Sequence, residues 1–123
     1  MEISKVEKAK IYHNSKCSCS RKALGLMEKS GIHFEIVEYL NTPPSKEELS
    51  AIVKGLGIHP TEIIREKEDL FKELGLSMND QRKTDEWLTI LSNNPILLQR
   101  PIVSYKSKYV VGRPPDSILK ILN

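Results

Sequence analysis

The sequence predicts an α/β fold: a mixed sheet assembled as β-α-β and then β-β-α, with a helical insertion between the halves. Three observations carry this. Within about forty residues a strand pattern, a helical pattern closed by glycine and a second strand pattern follow one another, the order of a parallel pair joined by a crossover helix. Towards the other end, two short strand patterns are separated by only Lys106 and Ser107, as a hairpin requires. The stretch between them carries helix caps and helical periodicity without a comparable strand run.

Lys8 to His13 forms the first strand candidate, with Ile11 and Tyr12 after a charged start, and Asn14 to Cys17 forms a loop. From Ser18 to Ser30, Ala23, Leu24 and Met27 recur at helical spacing, and Gly31 closes the helix. His33 to Leu40 places Phe34, Ile36 and Val37 among charged residues, which suits a second strand. After Asn41-Thr42-Pro43-Pro44, Ser45 can cap a helix with Glu48 three residues on, running to Gly55 or Gly57. Pro60 opens a short turn, and Thr84 to Ser92 makes a further amphipathic helix ended by Asn93-Asn94-Pro95. Strand character returns at Pro101 to Tyr105 and Lys108 to Val111, joined by a turn that lacks the favoured Asn-Gly pair. Pro114-Pro115-Asp116 starts a last helix through Leu122. Chain order of this kind is a thioredoxin-like arrangement, its last hairpin antiparallel.

The chain's 123 residues suit one domain over 1–123, the insertion occupying about 45–95. Hydrophobic residues make up 39% and charged residues of both signs 28%, which excludes an acidic or basic disordered tail. A formal charge of +3 is weaker than nucleic-acid binders usually carry, so no direct nucleic-acid partner is expected. No apolar run approaches the ~20 residues that cross a bilayer. Met1 to Lys10 lacks the apolar core of a signal peptide. A cytoplasmic monomer without membrane contact is the expectation. The two cysteines, Cys17 and Cys19, are too few and too close for a secreted disulfide scaffold, so both thiols should be reduced.

The segment His13 to Arg21 carries the chemistry. It puts Cys17 where a strand ends and a helix begins, facing unpaired backbone N–H groups and about half a positive charge from the aligned peptide dipoles. Both favour thiolate over thiol and can pull a cysteine well below its reference pKa of ~8.5. Lys16, Arg21 and a charged His13 would act in the same direction. The same donors can hold a tetrahedral oxyanion. Against this stands the ordinary fate of a free cysteine, a small buried hydrophobe. Cys19 lies roughly 200° around the helix from Cys17, so it points elsewhere and reads as structural. His13, Cys17 and Cys19 lack the fourth ligand of a metal site, and no metal or bound cofactor is expected.

From Ile11-Tyr12-His13-Asn14 through Cys17 to Ser20-Arg21, the sequence resembles the active-site loop of glutaredoxin-type arsenate reductases, the ArsC-like family to which the Spx and YffB proteins are related. The resemblance continues through Tyr39 to Pro44, Ile64-Arg65, Glu73 to Leu76, Asn94 to Leu97, Arg100 to Val103 and Gly112-Arg113-Pro114, in consistent order from Ala9 to Leu122. It implies a glutaredoxin-like fold and a Cys17 thiol that attacks arsenate to form an adduct. By motif Arg65, Arg100 and Arg113 are the arginines around the oxyanion, and His13 and Ser20 help lower the cysteine pKa. It also implies glutathione as external reductant, a glutaredoxin as partner and arsenite as product. A cis Arg100-Pro101 bond facing Cys17 is implied by the same likeness.

Arginine suits this chemistry because its planar fork pairs with tetrahedral oxyanions and stays charged. Taken alone, each arginine is an ordinary solvated surface residue. Ser20 stands where dithiol glutaredoxins carry a second cysteine, so the electrons should come from outside the chain. Cys19 departs from the usual motif and leaves a Cys17–Cys19 disulfide open as a substitute for part of the glutathione step. Rival readings are a Spx-like redox-responsive regulator that binds RNA polymerase, a general thiol reductase, and a structural domain with an idle cysteine. The Spx type carries Cys-x-x-Cys where this chain has Ser20, and it lacks the Gly112-Arg113-Pro114 arrangement.

Overall fold

The computed structural model describes residues 9–99, 101–106 and 108–122. They form two compact units, one built from the chain up to Glu38 and again from residue 100, the other Tyr39–Gln99.

The first unit holds a four-stranded sheet in the order β2-β1-β3-β4, with β1 Ala9–His13, β2 Phe34–Glu38, β3 Ile102–Tyr105 and β4 Lys108–Val111. β1 and β2 are parallel, in register from Ala9 opposite Phe34 to His13 opposite Glu38. β1–β3 and β3–β4 are antiparallel, with Ile11 opposite Val103 and Val103 opposite Val110. The mixed α/β sheet is therefore the one expected. β1 is buried because it is central, whereas β2 is an edge strand whose Glu35 and Glu38 remain exposed and discourage further strand pairing.

Helix α1, Ser18–Ser30, returns the chain between the parallel strands, burying Ser20, Ala23 and Met27 at i, i+3 and i+7. Gly31 ends it at φ 75°, a left-handed conformation that glycine adopts without a Cβ clash. Ala23 and Met27 join Ala9, Ile11, Val103, Ile118, Ile121 and Leu122 in one apolar cluster. The chain closes with a 3-10 turn over Pro115–Ile118 and a short helix, Leu119–Leu122, so the expected continuous last helix begins as a tighter 3-10 segment.

The second unit is helical. α2, Lys46–Leu56, starts with the expected capping box: the Glu48 N–H donates to Ser45 Oγ at 3.1 Å, and the Ser45 N–H donates to Glu48 Oε1 at 3.2 Å. It ends at Gly57, φ 68°. A 3-10 turn over Pro60–Ile63, α3 Asp69–Glu73, α4 Thr84–Asn93 and a turn over Pro95–Leu97 follow. Leu49, Ile52 and Val53 of α2 and Trp87, Leu88 and Leu91 of α4 are buried. An antiparallel bridge between Ile64 and Leu98 ties the middle of this unit to its last residues, the Arg65 N–H donating to the Leu97 carbonyl at 2.7 Å. Helix α4 starts one residue beyond Lys83, as expected from Thr84, and runs one residue past Ser92.

Candidate functional site

Cys17 is the residue just before α1, with extended backbone at φ −97° and ψ 124°, and its side chain does not cap the helix. The helix dipole therefore faces the half-buried sulfur, and the first turn of α1 contains no acidic residue to offset it. Cys19, also half-buried, is the second residue of the helix.

Asn14 builds the loop that holds Cys17. Its carbonyl accepts the Cys17 N–H at 3.0 Å, its Oδ1 accepts the Lys16 N–H at 2.9 Å, and its own N–H donates to Ser20 Oγ at 3.4 Å. Ser20 is fully buried, so this last contact ties the loop to the first turn of the helix beneath it. Arg21 reaches back from α1 and donates from Nη1 to the Ser15 carbonyl at 2.9 Å. Its guanidinium thus braces the loop while adding positive charge beside it. Sequence reasoning singled out His13, Cys17, Ser20 and Arg21 in this segment but passed over Asn14. The signal was present, since an asparagine that accepts an N–H two residues on is a common turn former. Replacing Asn14 with alanine removes the Lys16 bond and leaves that donor to water, at roughly 1 kcal/mol of loop order. We expect the variant to stay folded and to lose about fivefold in thiol alkylation rate at neutral pH, measured with iodoacetamide.

His13 is buried at the end of β1, and its Nδ1 has no hydrogen-bond partner. Burial pushes its imidazole below the ordinary histidine value and Arg21 adds to that, outweighing the opposing pull of Glu38 and of the Ser20 backbone. The ring is accordingly neutral near pH 7. The positive charge around this turn rests with Lys16, Arg21 and Arg113.

Arg113 comes from the opposite end of the chain. Its Nη1 donates towards Cys17 Sγ at 3.9 Å. Gly112 makes this approach possible, because a Cβ there would lie 2.8 Å from Pro101 Cγ, too close to tolerate. Its N–H donates to the Pro101 carbonyl at 2.8 Å and fixes the point at which Arg113 leaves the sheet. The Arg113-Pro114 peptide is cis.

Arg65 belongs to the second unit. Its Nε pairs with Glu68 Oε2 at 3.0 Å and its Nη1 donates to Gln99 Oε1 at 3.2 Å, leaving the guanidinium half-buried and oriented. Arg100 lies outside the described residues, and so does the Arg100-Pro101 bond expected to be cis. Among the described residues no group of three or more His, Cys, Asp or Glu side chains is arranged to hold a metal ion, and no helix is long and apolar enough to cross a membrane.

A cysteine between β1, an inner strand of a β2-β1-β3-β4 sheet, and the first helix, with a guanidinium 3.9 Å from its sulfur, defines a thioredoxin-like protein. Residues 12–121 match the model of the ArsC family, and the chain belongs to that family. An arsenate reductase of Neisseria meningitidis is 46% identical over 92% of this chain and 97% of its own length. One from Haemophilus influenzae is 41% identical over 91% of this chain and 97% of its own. The solved structure of an arsenate reductase from Vibrio cholerae superposes with a TM-score of 0.88 at 39% identity, covering 94% of this chain and 98% of that one.

Proposed function

We propose that the protein reduces arsenate to arsenite through a covalent adduct on Cys17, drawing electrons from glutathione and a glutaredoxin. The Cys17 thiolate attacks arsenic, an S–As bond forms, and one arsenate oxygen leaves as water after protonation. Two external thiols then supply two electrons and two protons and leave as one disulfide, a second arsenic-bound oxygen departs as water, and As(V) becomes As(III). Hydrolysis of the S–As bond releases arsenite and restores the thiol. In this reading Arg113 holds both sulfur and oxyanion, Arg65 and Arg100 are the further oxyanion-binding arginines that the family motif implies, and His13, Ser20 and Arg21 keep the turn in shape. The protein acts as a cytoplasmic monomer with no bound cofactor.

The contact that carries this reading is the Arg113 guanidinium 3.9 Å from Cys17 Sγ at the start of α1. A thiolate and an arsenate anion about 4 Å apart repel by roughly 4 kcal/mol at an effective dielectric near 20. A cation shared between them offsets that cost, and a guanidinium does so while donating directional bonds to a tetrahedral oxyanion. The names borne by the relatives support arsenate as substrate. The test is turnover with arsenate, glutathione and a glutaredoxin, with arsenite and oxidised glutathione expected to appear in equal amounts. Absence of arsenite, together with retention of the protein on RNA polymerase, would overturn the reading in favour of a regulator.

A further inference from the structure

An open groove of about 420 Å³ runs along the outer face of α1, between Lys22, Gly25, Leu26 and Lys29 on one side and the Pro114–Asp116 segment on the other. The four helix residues share one face by their i, i+3, i+4 and i+7 spacing. Gly25 is the anomaly. It sits in the interior of a 13-residue helix, where glycine is less stable than alanine. Yet a Cβ at this position would meet nothing within 4 Å, so no described residue accounts for its absence. A glycine that the fold itself does not require, on the floor of a groove, leaves room for something outside the chain to approach the helix backbone closely.

Charge and position narrow the occupant. Lys22 and Lys29 are exposed on the rim, Lys16 and Arg21 extend the positive surface to the Cys17 turn, and among the described residues Asp116 is the lone carboxylate lining the groove. Pro114, which lines the groove, directly follows Arg113, whose guanidinium contacts Cys17 Sγ. At 1.5 Å per residue, Lys22 lies about 7 Å along the helix from Cys17 and Lys29 about 18 Å. A folded partner can occupy the groove and still project a cysteine over the turn.

We infer that the groove is the docking site of the acidic thiol protein that reduces the Cys17 adduct. An apolar group of that protein sits over Gly25 and its carboxylates face Lys22 and Lys29. This rests on the reductase reading. The test uses the full chain with a purified glutaredoxin whose surface around the reactive cysteine is acidic, and with dithiothreitol as a small reductant. Gly25→Trp fills the groove, and Lys22→Glu with Lys29→Glu reverses its rim. Each is expected to raise the KM for the glutaredoxin about tenfold, to leave dithiothreitol-driven turnover unchanged, and to keep the melting temperature of the parent. Added salt should weaken the parent's use of glutaredoxin and affect the double lysine variant little.

Unchanged KM in both folded variants, or an equal loss with dithiothreitol, would overturn the docking site. Calorimetric binding of the glutaredoxin to the parent and to Gly25→Trp makes the same comparison without turnover, and equal affinities there overturn it too. Arsenate turnover that survives Cys17→Ser would overturn the reductase reading instead, leaving the binding comparison to decide the groove.

Discussion

Cys17→Ser is expected to lower arsenate turnover at least about a thousandfold while making the protein slightly more stable. A serine hydroxyl at neutral pH needs a strong general base to become a nucleophile, and removing the nucleophile of a covalent mechanism costs several orders of magnitude. The neighbouring His13 cannot substitute as that base without rearrangement, because it is buried at the end of β1. Stability moves the other way. Cys17 occupies the N-cap of α1 without capping it, and serine is among the best residues for that position. A serine hydroxyl there can accept an N–H from the first turn and add up to about 1 kcal/mol. Thermal unfolding and arsenite production on the same preparation check both signs. A variant that loses stability along with activity would show that Cys17 is a packing residue, and the chemical assignment would fail.

Much of the fold was legible because its boundaries are written in residues with local mechanisms. The limits of α1 follow from the loop before Ser18 and from Gly31, the start of α2 from the Ser45 and Glu48 box, and β4 from its Tyr109-Val110-Val111 run. α3 was not read as an element because five residues are too few for a helical period to declare itself. Only the left-handed Gly75 just beyond it, φ 70°, marks its end. The candidate site divides in the same way. Cys17 at a helix start is a local fact, whereas the approach of Arg113 depends on a sheet closing over 96 residues of chain. Spacing cannot supply that, and the motif at Gly112-Arg113-Pro114 was the sole pointer to it. The neutrality of His13 was equally beyond local reading, since burial of the ring is a property of the folded environment. Gly25 passed as an ordinary member of a helical run until the space above it was known to be empty.

Arg113→Ala is expected to reduce kcat/KM for arsenate by about 10- to 100-fold and to shift the pH midpoint of Cys17 alkylation upward. The size follows from bounding the interaction on both sides. Opposite unit charges about 4 Å apart interact by roughly 4 kcal/mol at an effective dielectric of 20, which sets the upper limit. Arg113 is exposed, so solvent screens the ion pair to about 1 kcal/mol or less. The hydrogen bonds its fork donates to the charged oxyanion, about 1.5–3 kcal/mol, bring the loss to one to two powers of ten in rate. Arg113→Lys separates charge from geometry. A lysine ammonium restores attraction to the thiolate but not the paired donors that a tetrahedral oxyanion accepts. The alkylation midpoint should therefore return most of the way in the lysine variant while kcat/KM stays several-fold below the parent. Rising salt should narrow the gap between parent and alanine variant in alkylation, because an exposed pair is screened within a Debye length of about 10 Å at 0.1 M. If Arg113→Ala alkylates with the parent's midpoint and reduces arsenate at the parent's rate, the thiolate depends on the helix start alone, and the 3.9 Å contact is incidental to catalysis.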